Sequence, residues 1–93
     1  KNDIFNNLTQ LEKLFLSRNK ISIISNAFNK CTKLKELNLS ANEIKEIDKE
    51  EFCQQLEILN LSVNKIEEID IDAFSNCHQL KELDLSQNLI EKL

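Results

Sequence analysis

The chain has 93 residues, room for one structural unit, and its apolar share of 41% beside 30% charge is that of a folded soluble domain. A net charge of −4 argues against nucleic acid as a partner, because phosphate recognition needs clustered Lys and Arg. No apolar run approaches the roughly 20 residues of a membrane span, so no direct membrane insertion is expected of this segment, and with neither Gly nor Pro the turns must rest on Asn, Asp and Ser.

The first predicted element is a turn with apolar residues three apart, at Phe5, Leu8 and Leu11. That spacing suits a short helix or a 3₁₀ turn. From Leu11 the pattern changes. Leu14-x-Leu16 alternates with period two and predicts a short strand with one buried face. Asn19 follows where the chain leaves the strand, and Ile21 and Ile24 are again apolar. The same sequence of elements then recurs. Phe28, Cys31 and Leu34 make the second three-spaced turn, Leu37-x-Leu39 the second strand, and Asn42, Ile44 and Ile47 the exit. The third unit runs through Phe52, Cys53 and Leu56 to Leu59-x-Leu61, Asn64, Ile66 and Ile69, with two residues fewer between aromatic and cysteine. The fourth gives Phe74, Cys77, Leu80, Leu83-x-Leu85, Asn88, Ile90 and Leu93.

The leading leucines, Leu11, Leu34, Leu56 and Leu80, are 22–24 residues apart, and a fixed period of this size decides the fold. Cut after each second isoleucine position, the chain divides into 1–24, 25–47, 48–69 and 70–93. Those are four whole, uncapped periods, expected of an excerpt from a longer array. Units related by a constant step place their strands parallel, about 4.8 Å apart, with the three-spaced half as the crossover that parallel strands require. A helical bundle would account for the leucines, but not for the switch to period two or for a recurring Asn among apolar positions. Asn19, Asn42, Asn64 and Asn88 read as a ladder. Each amide offers a donor and an acceptor to the turn backbone, and Asn tolerates the unusual dihedrals that Gly would otherwise supply.

The recurring L-x-x-L-x-L-x-x-N-x-[I]-x-x-[IL] resembles the leucine-rich repeat family, and the match covers the whole chain. Phe5, Phe28, Phe52 and Phe74 resemble the aromatic of its typical class, with repeats of about 24 residues, seen in extracellular proteins such as the ectodomains of Toll-like and adhesion receptors. The resemblance implies an α/β repeat solenoid. Short parallel strands would line the concave face of an arc, and short helical, 3₁₀ or irregular segments its convex face. The chain departs from that pattern in its short third unit, in lacking the proline often found after the second isoleucine, and in having no cysteine-rich cap.

A repeat core has the same chemistry in every unit, so specificity must lie in positions that vary. In x-L-x-L-x the leucines point inward and the intervening residues outward onto the concave face. Those candidates for ligand binding are Lys13, Phe15 and Arg18, then Glu36, Asn38 and Ala41, then Ile58, Asn60 and Val63, then Glu82, Asp84 and Gln87. Ser17, Ser40, Ser62 and Ser86 do not vary, and are expected to serve the turn. Phe15, Ile58 and Val63 put apolar groups among charge, the mark of a partner-binding patch, although scattered surface apolars are also ordinary.

Cys31, Cys53 and Cys77 share the slot that Leu8 fills in unit one, which reads as an inward thiol packed as a small hydrophobe. Whether any two of them pair stays open, since a disulfide would strand the third. Metal ligation needs four converging ligands, and only His78, expected on the surface, stands beside the cysteines. No Gly-rich phosphate loop or nucleophile elbow is present, so neither cofactor nor catalysis is expected. The carboxylate-rich runs 46–51 and 67–72 read as a solvated edge. Sequons stand at Asn7, Asn38 and Asn60, candidates for glycosylation, the last two generated by the Asn-Leu-Ser of the template itself. The expected function is therefore non-catalytic protein recognition by part of a larger receptor or secreted protein, extracellular or at the cell surface. The alternative is an intracellular scaffold or regulatory subunit in the cytoplasm.

Overall fold

Alternating leucines fold the second half of each unit into a short strand, because period two puts both leucines on one face. The computed structural model describes residues 8–91 apart from 26, 29, 50, 51 and 53, so Phe5, Asn7, Cys53 and Leu93 lie outside the described residues. In chain order the strands are β1 (Lys13–Phe15), β2 (Glu36–Asn38), β3 (Glu46–Ile47), β4 (Ile58–Asn60), β5 (Glu68–Ile69) and β6 (Glu82–Asp84). Four of them form a parallel sheet in the order β1-β2-β4-β6, and β3 and β5 pair as a second, two-stranded parallel sheet. The register aligns equivalent residues: Leu14 with Leu37, Leu37 with Leu59, and Leu59 with Leu83.

The expected helical or 3₁₀ segments are not there among the described residues, which are built of turns in the first half of units two to four. The Cys31 N–H donates to the Phe28 carbonyl at 3.0 Å, and the Leu34 N–H to the Cys31 carbonyl at 3.1 Å. Cys77 repeats the bond to Phe74 at 2.9 Å, and Leu80 that to Cys77 at 3.4 Å. Each apolar residue thus closes one three-residue turn and opens the next. A helix would bond every successive N–H. Chained turns give the same spacing of three without a helix.

Entry into the strands is fixed by one carbonyl per unit. Lys35 and Glu36 both donate N–H to the Glu12 carbonyl at 2.8 and 3.1 Å, Glu57 and Ile58 to that of Lys35 at 2.8 and 3.0 Å, and Lys81 and Glu82 to that of Glu57 at 2.8 and 3.1 Å. The residues at this position alternate in sign: Glu12, Lys35, Glu57, Lys81. Lys81 Nζ lies 3.8 Å from Glu57 Oε1.

The core lies behind the four-stranded sheet. Leu34, Leu37, Leu39, Ile44 and Ile47 of unit two pack with Leu56, Leu59, Leu61 and Ile66 of unit three, all fully buried, and Phe28, Cys31, Phe52 and Ala73 close it from the turn side. The Phe52 and Phe74 rings stack, with centroids 5.8 Å apart and planes 8° from parallel. Leu37 and Leu59, on strands paired on both sides, are 1% exposed, whereas Leu83, at the same register position on the edge strand β6, is 39% exposed.

Candidate functional site

The outward residues of the four-stranded sheet form two columns. Lys13, Glu36, Ile58 and Glu82 are successive register partners, and so are Phe15, Asn38, Asn60 and Asp84. Lys13, Phe15, Glu82 and Asp84 are exposed, and Glu36, Asn38, Ile58 and Asn60 half-buried between their neighbours. The face is cationic over β1, where Lys13 and Arg18 stand, and anionic over β6, where Glu82 and Asp84 stand. Phe15 is 57% exposed and Val63 44%.

The second column has a job within the chain. Asn38 Oδ1 accepts the Ser40 N–H at 2.9 Å. Asn60 Oδ1 accepts the Ser62 N–H at 2.9 Å and its hydroxyl at 2.7 Å. Asp84 Oδ1 accepts the Ser86 N–H at 2.9 Å and its hydroxyl at 2.7 Å. Such Asx turns fix where the strand ends. The Ser86 hydroxyl, and then its N–H, hold the Asp84 carboxyl below the usual carboxylate range. Phe15 occupies this slot in unit one and has no side-chain acceptor to offer Ser17.

Next come four residues in the left-handed region: Arg18 at φ 61°, Ala41 at 56°, Val63 at 55° and Gln87 at 53°. Each directly precedes an Asn of the column. The unusual dihedral expected of Asn is therefore carried by the residue before it, and among the described residues no other position has φ above zero. For Val63, β-branched and 44% exposed, this costs conformational energy that burial does not return.

The Asn side chains bridge one unit to the one before it. Asn64 Oδ1 accepts the Ile44 N–H at 3.1 Å, and its Nδ2 donates to the carbonyls of Leu39, Leu61 and Ser62 at 3.0, 3.1 and 3.1 Å. Asn88 does the same with Ile66 N–H and the Leu61, Leu85 and Ser86 carbonyls. Asn19 is exposed, and among the described residues its Nδ2 reaches only Leu16 and Ser17 of its own turn.

The carboxylate-rich edge expected from the sequence also carries a second sheet, which was not expected. β3 and β5 set Glu46 directly opposite Glu68, and with Asp48, Glu67, Asp70, Glu91 and the apolar Ile47, Ile69 and Leu89 they line an open trough of about 790 Å³. The Ile44-x-x-Ile47 and Ile66-x-x-Ile69 spacing hides this sheet, because it lacks period two. Among the described residues no group of three or more His, Cys, Asp and Glu is placed to hold a metal ion. Cys31 is fully buried and Cys77 half-buried, and burial pushes both thiols up. His78 is exposed. No helix among the described residues is long and apolar enough to cross a membrane.

The family model for a BspA type leucine rich repeat region (6 copies) matches residues 1–92. No curated protein matches the chain. Leucine-rich repeats generally mediate protein interactions and are typically non-catalytic, and those of BspA type often belong to surface or secreted bacterial proteins. The likeness to the typical class rests on the phenylalanine column and the repeat period of 22–24 residues. Parallel strands in repeat register, one Asn per turn and a match over nearly every residue agree: the chain belongs to the leucine-rich-repeat family, in its BspA type.

Proposed function

We propose that the chain is a non-catalytic protein-recognition module, four repeats of an arc-shaped solenoid that bind a protein ligand on the concave face of the four-stranded sheet. One observation carries this reading. On that face the side chains differ from unit to unit in charge and polarity, from Lys13 and Phe15 to Glu82 and Asp84, while the leucines and asparagines behind them are constant. A surface whose chemistry varies on a constant frame can discriminate between partners. Exposure of Phe15 and Val63 supplies apolar anchors among polar surroundings. A larger surface or secreted protein is the setting that BspA-type relatives favour.

The test is selection of a random displayed peptide library on the immobilised chain. Binders should lose affinity when Phe15→Ala or Val63→Ser is introduced and keep it in the Glu46→Gln/Glu68→Gln variant on the other sheet. Binders indifferent to the first pair and sensitive to the second would move the site to the trough. A second reading, an intracellular scaffold or regulatory subunit, is compatible with Cys77, which is in no disulfide among the described residues. Glycans on Asn7, Asn38 or Asn60 in protein from its native source would exclude it.

A further inference from the structure

Ile58 stands between two carboxylates. Glu36 on β2 and Glu82 on β6 are its register partners on either side. Each is one strand spacing away, so the two acids flank an aliphatic side chain at a separation of about 10 Å. Among the described residues neither acid is in an ion pair; Lys81 pairs instead with Glu57, on the entry column. Lys13 stands across Glu36, but no cation is in register beside Ile58 or Glu82. Asp84, two residues further along β6, adds a third negative charge to the same side. Val63 ends the outward side of unit three with a second apolar group, 44% exposed and held in a conformation that Gly would adopt at lower cost.

The chemistry that fits is specific. A partner carboxylate here would meet like charge from two strands. A purely apolar segment would cover Ile58 while stripping water from Glu36 and Glu82 without replacing it. An Arg or Lys satisfies both demands, because its aliphatic stem lies on apolar surface while its head reaches a carboxylate. We propose that this face takes a basic, apolar peptide segment, with an Arg or Lys stem packed on Ile58, its head between Glu36 and Glu82, and an apolar residue further along the segment against Val63. The proposal rests on the protein-recognition reading above and adds the partner's chemistry to it.

The experiment is fluorescence anisotropy of the labelled hexapeptide Arg-Leu-Arg-Leu-Arg-Leu titrated with the full 93-residue chain. Two comparison peptides replace every Arg by Glu, or every Leu by Ser. The Arg–Leu peptide is expected to bind about tenfold or more tighter than either. Ile58→Ser, and separately Glu36→Gln/Glu82→Gln, should each weaken it about tenfold or more, with the amide pair preserving side-chain shape. Glu46→Gln/Glu68→Gln removes the same charge from the other sheet and should leave affinity within about twofold. Equal loss in both double variants would overturn the proposal, since net charge alone would then attract the peptide. If the Glu–Leu peptide binds best and Ile58→Ser abolishes it, the face recognises peptides but the basic chemistry is wrong. If no peptide binds and library selection on the same face also fails, the recognition reading itself falls.

Discussion

Asn42 is tied to Leu16, 26 residues earlier: its Nδ2 donates to the Leu16 carbonyl at 3.1 Å. The same side chain donates to the Leu39 and Ser40 carbonyls at 2.9 and 3.1 Å and accepts the Ile21 N–H at 3.0 Å. The carbonyls have reserves, since Leu16 also receives Asn19, and Leu39 also receives Asn64. The N–H has none of these side chains but Asn42. Asn42→Leu should therefore cost about 1–3 kcal/mol, mainly through that donor. Asn64→Leu should cost at least as much, because Ile44, whose N–H it would strand, is fully buried. Asn19→Leu, at an exposed position bonded within its own turn among the described residues, should cost less than about 1 kcal/mol. Urea midpoints at constant m order the three.

Val63→Gly is expected to stabilise the fold. The left-handed conformation costs a side chain with a Cβ about 1–2 kcal/mol, and more crowding follows from β-branching. Glycine avoids that cost but gains freedom in the unfolded chain, which returns part of it. A net gain of about 0.5–1 kcal/mol should appear as a higher denaturation midpoint, with Ala41→Gly giving a smaller shift in the same direction.

Asp84 supplies a pH dependence of known sign. Its folded pKa lies below the ordinary value because the Ser86 hydroxyl and N–H bind the ionised form. The stability it contributes is thus present above the unfolded aspartate pKa, about 3.9, and is lost as pH falls through the lower folded value. Carboxyl NMR should show Asp84 titrating below the ordinary aspartate value of about 3.9. Asp84→Asn reproduces the Asn60 arrangement of unit three, and should keep the turn while removing this acid sensitivity.

Glu46 and Glu68 face each other in parallel register, which is unfavourable for like charges. Glu68→Lys converts the repulsion into attraction and should raise stability by about 0.2–1 kcal/mol. Added salt should shrink the gain, because the pair is exposed. A gain unchanged by salt would point to a cause other than charge.

The strands were legible because period two has one structural meaning in so short a run. Leu14, Leu37, Leu59 and Leu83 fall on the strands the alternation predicts. The turns were only half legible, since a spacing of three fits a helix and a chain of single turns equally well, and Phe28, Cys31 and Leu34 make the second. The left-handed positions gave no signal at all: Arg18, Ala41, Val63 and Gln87 share no side-chain property that favours positive φ. A signal was present for the Asx turns. Asn38, Asn60 and Asp84 each precede a serine by two residues, whereas Phe15 before Ser17 breaks the rule. Register then brought Glu36, Ile58 and Glu82 side by side, which the sequence separates by more than 20 residues on each side.

The alternating signs at the strand entries have a consequence for how such an array can change length. Glu12, Lys35, Glu57 and Lys81 each sit beside an opposite charge, so the backbone repeats after one unit but the electrostatic pattern repeats only after two. Excising one internal period would keep every leucine and asparagine in step and yet bring Glu12 against Glu57. Excising two would set Glu12 against Lys81 and restore the alternation. By shape the module is counted in single repeats; by charge it is counted in pairs.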